Sequence, residues 1–406
     1  LFRASESIGF HKSEKKMSVS ICLHNGTLLT GFSQMESCAV LIEDGRIADV
    51  FSERRFLQKK FDPSVKIFDV EEAYIAPGFI DTHIHGFKGH GTDNCSVEAM
   101  VEMSKDLAQY GVTAFNPTLY PAGEADMIRS IKEIVKAMGK ESGAQIMGIH
   151  MEGPFISPDK LGVQRPETVR AVDMDLMNRF WEASKGHIVN MTVAPELKGM
   201  RYLALYGLKH GIVMQAGHTN AEYQNMVEGM QAGILHSTHL FNAMSQLHHR
   251  NPGAVGAVLI HPEMSCEVIA DGVHVHPDLF KLLLKDKPLE KIVLITDGLT
   301  PTEQEGDNLT ANGEKVVFEG GCFHRAADGV IAGSSLTMIR GVKNLVKFGF
   351  SVSDAVRAAS STPASVMHYN KKGMLIPGYD ADVVVFDKQF NIIASILRGV
   401  FKKNLL

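Results

Sequence analysis

The sequence predicts an α/β protein, a (β/α)8 TIM-type barrel carrying a small β-sandwich built from its N- and C-terminal segments. Three observations lead there. Between Ala73 and about Gly298, short β-rich apolar runs alternate with polar residues and helical patterns, which implies βα units and a parallel sheet. Eight such runs occur, at 75–85, 112–117, 146–152, 188–194, 212–216, 234–240, 266–271 and 292–297. Eight strands buried on both faces are what a closed barrel requires. The 406 residues leave room for one barrel of roughly 250 residues and a smaller companion.

The elements follow in order. Residues 1–16 are polar, lack the apolar core of a secretory signal and are expected to be disordered, with Met17 as a candidate start. From 19 to 70 short strands alternate with glycine turns, as at 39–43, Asp44-Gly45 and 46–50. After the first barrel run, Val97, Met100, Val101, Ser104, Leu107 and Ala108 share one helical face. Residues 353–369 read as helix interrupted near Pro363, opened by a capping-box pattern at Ser351 and Asp354. Segments 381–387 and 391–398 read as strands that pair with the N-terminal ones. The expected domains are therefore 17–72 plus 372–406 for the sandwich and 73–371 for the barrel.

Composition excludes several classes. A net charge of -5 lacks the basic footprint of a nucleic-acid binder. No apolar run approaches the roughly 20 residues of a membrane span. Cys22, Cys38, Cys95, Cys266 and Cys322 are scattered and without CxxC spacing, which argues against a disulfide framework or zinc knuckle and fits the reducing cytoplasm. The abundant methionines read as core filler. The lysine pairs at 15–16, 59–60, 371–372 and 402–403 read as solvated faces.

In a barrel of this kind the chemistry sits at the C-terminal ends of the strands. Six of the eight runs place an imidazole or carboxylate there: His83 and His85, Glu152, His218, His239, His274 and Asp297. Any one alone has a scaffold explanation, such as a helix N-cap. Together they point to a divalent metal ion (zinc, iron, cobalt or similar) with a position open to water. Hydrolysis of an amide also needs an acid/base group that reaches both water and leaving nitrogen, and Asp297, ending the eighth run, is the candidate.

The motifs PGFIDTHIHG at 77–86 and TDG at 296–298 resemble those of the amidohydrolase superfamily. HMEGPF at 150–155, AGHT at 216–219, THLFNAM at 238–244, ADGVH at 270–274 and IAGS at 331–334 resemble, more narrowly, the N-acetylglucosamine-6-phosphate deacetylase family. The resemblance implies Glu152, His218 and His239 as ligands of a primary metal, with His83 and His85 at a possible second. It implies Asp297 as general base and acid. Val163, Asn242, Ala243, Arg250, Asp271, His274, Ile331, Ala332 and Gly333 would bind the substrate, a phosphorylated amino sugar. Arg250 suits a phosphate dianion, since guanidinium presents a fork of donors. In the family the phosphate-binding arginine can come from a neighbouring subunit, so a homodimer is expected. Gln164 stands where many relatives carry histidine; it can donate a hydrogen bond but cannot become cationic. Two other readings stay open: a different amidase or deaminase of the superfamily, and a non-catalytic scaffold, which would hold no metal and turn nothing over.

Overall fold

The computed structural model describes residues 20–93, 95–304, 306 and 308–406. The expectations for 1–16 and Met17 lie outside these described residues. Eight parallel strands form the barrel: Phe79–Ile84, Val112–Leu119, Ile149–Glu152, Ile188–Val193, Val213–Ala216, His236–Ser237, Ser265–Ile269 and Ile292–Ile295. They pair in chain order. The eighth returns to the first, where Asp297 N–H donates to the His83 carbonyl at 2.9 Å and Ile84 bridges Gly298. Val112–Leu119 and Ile292–Ile295 are buried at every position, as expected of parallel strands covered by helices.

Two runs divide where the sequence reads them as one. Run 75–85 holds two strands: Tyr74–Pro77 pairs with Val383–Phe386 in the terminal sheet, and Phe79–Ile84 enters the barrel. Gly78 joins them, and a Cβ there would lie 2.2 Å from the Thr113 side chain, so only glycine permits the crossing. Run 146–152 likewise splits into Gln145–Ile146 and Ile149–Glu152, both beside the second strand. The sixth strand is only two residues long, because the chain turns into positive φ at His239.

The terminal segments form one eight-stranded sheet, running from Val400–Asn404 through Tyr74–Pro77 and Ile21–Leu29 to Arg46–Ser52. Its two halves meet where Ala381 N–H donates to the Gly45 carbonyl at 2.9 Å, and they enclose Leu23, Val40, Val383 and Ile396. The sandwich is thus a single sheet folded over its own core. Asp44 and Gly45 both take positive φ, the geometry of a tight hairpin turn. Lys372 is not on a solvated face: it is buried, its Nζ 2.6 Å from Asp382 and 2.9 Å from Asp380. Those partners lie eight and ten residues on, beyond the reach of a charge pattern read between neighbours.

The helix expected over 353–369 is two, Val352–Ala359 and Ser361–Val366, and it breaks at Ser360. A proline at 363 cannot donate to the carbonyl of residue 359 and its ring crowds it, so the helix breaks upstream of the proline itself. Ser351 caps the first helix, its Oγ accepting from Asp354 N–H at 3.0 Å. Between the eighth barrel strand and helix Met338–Lys347 lies a four-stranded antiparallel sheet, Leu309–Ala311, Glu314–Glu319, Cys322–Arg325 and Ile331–Ser334. Residues 331–333, expected to bind the substrate, lie in its last strand. A bridge from Ser334 to Gly298 lays that strand across the barrel mouth. Among the described residues, no helix is long and apolar enough to cross a membrane.

Candidate active site

The strand ends converge. His83, His85 and Asp297 form one buried group of potential ligands, and Glu152, His218 and His239 another; within each, the ligand atoms lie within 4.8 Å of one another. His218, His239 and Asp297 adopt positive φ, which few non-glycine residues do. Such strain concentrates at functional sites, where the surrounding fold imposes it.

The hydrogen bonds behind the rings decide what the rings present. His83 Nδ1 is 2.9 Å from the Glu267 carboxylate, His85 Nδ1 3.0 Å from the Thr118 carbonyl, and His218 Nδ1 3.0 Å from the Lys160 carbonyl. None of these acceptors carries a proton at neutral pH, so Nδ1 is protonated and the neutral ring turns its Nε2 lone pair forward. His218 and His239 place Nε2 3.1 Å from Glu152 Oε1 and 3.2 Å from each other. His83 and His85 place Nε2 3.4 Å from Asp297 Oδ1. Buried lone pairs facing one another repel unless a cation or proton lies between them, and His83 Nε2 has no hydrogen-bond partner. Ligands held about 2.0–2.1 Å from a tetrahedral ion stand roughly 3.3 Å apart. The donor set and its spacing fit a divalent metal.

The local charges agree. Burial works against ionisation of Glu152, yet the imidazoles of His218, His239 and His83 hold it well below the usual carboxylate range. Asp297 is likewise pulled below its ordinary value, burial being outweighed by His83 and His85. Burial lowers His83, but Glu267 and Asp297 carry it well above the ordinary histidine value. Protons and a metal ion therefore compete for the same imidazole nitrogens.

A cleft of about 280 Å³ opens over these groups, and Val163, Asn242, Ala243, His274, Ile331 and Ala332 line it. Gly333 lies behind its wall, where a Cβ would meet Leu299 at 2.6 Å. Asp271 does not face the cleft. Its carboxylate accepts from His274 Nδ1 at 2.6 Å and from the N–H groups of Val273 and His274 at 2.9 Å, orienting the ring. Arg250 is exposed on the turn after the sixth strand and is not brought into the cleft of its own chain.

Tyr120 and Glu267 escape the sequence reading, and Gln164, singled out there as a donor, gains its partner here. Tyr120 stacks on His85, rings 3.7 Å apart and 8° from parallel. Gln164 spends its amide N–H on Glu152 Oε2 at 2.7 Å, leaving its buried carbonyl oxygen without a partner. Glu267 is wholly buried behind His83. Its signal was available, as a lone carboxylate inside an apolar barrel strand.

A model of the amidohydrolase family matches residues 74–404. Over 389 residues the chain is 32% identical to the N-acetylglucosamine-6-phosphate deacetylase of Bacillus subtilis (strain 168), covering 94% of this chain and 97% of that protein. It is 31% identical to the N-acetylgalactosamine-6-phosphate deacetylase of Escherichia coli O157:H7, covering 82% of this chain and 89% of the other. Among solved structures, N-acetyl-D-glucosamine-6-phosphate deacetylase from Mycobacterium smegmatis, a point mutant in complex with N-acetyl-D-glucosamine-6-phosphate, superposes with a TM-score of 0.87 at 27% identity. That match covers 95% of this chain and 100% of the other.

Proposed function

Because the chain belongs to the amidohydrolase family, we propose that it hydrolyses the acetamido group of N-acetyl-D-glucosamine 6-phosphate to D-glucosamine 6-phosphate and acetate. The observation that carries this reading is the convergence of two histidine–carboxylate groups beneath a cleft lined by six of the nine substrate residues expected from the resemblance. Glu152, His218 and His239 would hold one divalent ion (zinc, iron, cobalt or similar), and His83, His85 and Asp297 a second. Such an ion lowers the pKa of water from 15.7 to about 7 and polarises a carbonyl oxygen.

The remaining work falls to side chains. Asp297, kept ionised by His83 and His85, accepts the proton of the attacking water and delivers it to the departing amine. His274, its Nδ1 held by Asp271, points Nε2 into the cleft and donates to a substrate oxygen. Val163, Ile331 and Ala332 wall the sugar, with Gly333 seating the Ile331–Ser334 strand from behind and Asn242 and Ala243 toward the phosphate. Arg250 is exposed outside its own cleft, which supports its serving the cleft of a second copy in a homodimer. The five cysteines are unpaired, which suits a cytoplasmic enzyme.

A second reading, the galactosamine epimer as substrate, is favoured by the identity of 31% to a deacetylase of that sugar. The test compares kcat/KM for both phosphorylated epimers and for unphosphorylated N-acetylglucosamine, with and without Arg250→Ala. We expect the phosphorylated gluco sugar to lead, and Arg250→Ala to raise its KM far more than that of the unphosphorylated one. Equal effects on both would put the phosphate elsewhere, and a lead for the galacto epimer would select the second reading.

A further inference from the structure

Glu267 is the only carboxylate of a buried polar chain that crosses the barrel core, and it accepts from both sides. Gln215 Nε2 reaches its Oε1 at 3.1 Å; His83 Nδ1 and His239 N–H reach its Oε2 at 2.9 and 3.2 Å. A carboxylate can only accept, so Gln215 must turn its nitrogen to Glu267 and its oxygen away. That oxygen takes a hydrogen from Asn190 Nδ2 at 3.2 Å, Asn190 Oδ1 takes one from Asn116 Nδ2 at 3.2 Å, and Asn116 Oδ1 takes one from the Tyr369 hydroxyl at 2.6 Å. Tyr369 packs beside Ile80, Ala114 and Met147, where the strands begin. Every donor along this line points the same way, and Glu267 ends it. On its far side the same carboxylate requires a proton on His83 Nδ1, which frees Nε2 for the site.

We propose that Glu267 is a positioning residue for metal binding: its carboxylate, fixed by the one-way chain from Tyr369, orients His83, and its buried charge strengthens the ring's hold on an ion. This rests on the metal reading above. It adds that the group of His83, His85 and Asp297 depends on Glu267 through a ligand ring, whereas Glu267 meets the group of Glu152, His218 and His239 only at the backbone N–H of His239, from which the amide oxygen of Glu267→Gln can still accept. Outer-shell partners of metal-bound histidines are worth about 10–100-fold in affinity.

Glu267→Gln tests this without opening a cavity. The amide has the shape of the acid, and the chain can accommodate it by reversing every amide, since the Tyr369 hydroxyl can accept as well as donate. Only the charge is lost. Full-length protein stripped of metal is reloaded with Co2+ and equilibrated against graded chelator, and bound cobalt is read by elemental analysis and visible absorption. The wild type should hold two ions, and Glu267→Gln should keep one while releasing the other at about 10–100-fold lower chelator strength. Tyr369→Phe, which breaks the chain at its far end but leaves the charge, should melt lower and retain both. Equal retention of both ions by Glu267→Gln would overturn the proposal, and so would matching loss in Tyr369→Phe, because the effect would then be general packing. A wild type that holds a single ion overturns it as well. A wild type that binds no ion overturns the metal reading itself.

Discussion

Asp297 sits where two demands meet. It must remain ionised while buried, and it must face the cleft; His83 and His85 meet the first and its place after the eighth strand meets the second. Asp297→Asn should lower kcat by about 10²–10⁴-fold, the usual worth of general acid–base catalysis, while elemental analysis still finds metal on Glu152, His218 and His239. A variant with near-native kcat would remove Asp297 from the mechanism. His274 offers a test by pH. Burial lowers its pKa, but Asp271 and Asp297 more than reverse that, so the folded value stands above the ordinary one and the ring stays protonated further into the alkaline range. Asp271→Asn removes the nearer charge, so the alkaline limb of the kcat/KM profile should move to lower pH. A limb that stays in place, or moves up, would exclude protonated His274 from catalysis. The candidate ligands could be picked out in the sequence because strand ends are where a barrel collects its chemistry. Glu267 was overlooked, although a lone carboxylate in an apolar strand marks it, because its contact with His83 spans 184 residues of sequence.

At the scale of elements, the alternation of strand and helix made the barrel readable, and its misreadings have local causes. The first run hid two strands because both halves are apolar and only Gly78 marks the crossing. The four-stranded insertion went unseen because it has little core face: in Glu314–Glu319 only Val316 is buried, so no alternation of apolar and polar residues announces it. Yet this sheet supplies Ile331 and Ala332 to the cleft. Gly333 seats it, with a φ of 155° and no room for a Cβ against Leu299. Gly333→Ala should cost about 1–3 kcal/mol in urea unfolding through this overpacking, and should raise KM by tilting the strand from the cleft. Unchanged stability and KM would mean that the sheet is not seated by that contact.

At the scale of the whole molecule, two segments from opposite ends of the chain fold into one sheet that supports the barrel's first strand, through the crossing from Tyr74–Pro77 to Phe79–Ile84. The pairing was legible because both ends carry strand patterns that the barrel cannot use. The buried clamp of Lys372 with Asp380 and Asp382 was not, since burial of a lysine follows from tertiary partners alone. The sequence marks the chemistry of Arg250, while the folded chain leaves it exposed outside its own cleft, which is why its proposed role calls for a second copy. The central claim remains metal-dependent deacetylation. Its most direct test is acetate release from N-acetyl-D-glucosamine 6-phosphate by protein as isolated, after chelation, and after reloading with a divalent ion. We predict turnover that chelation abolishes and reloading restores. Turnover unaffected by complete metal removal, or none from fully loaded protein, would contradict it.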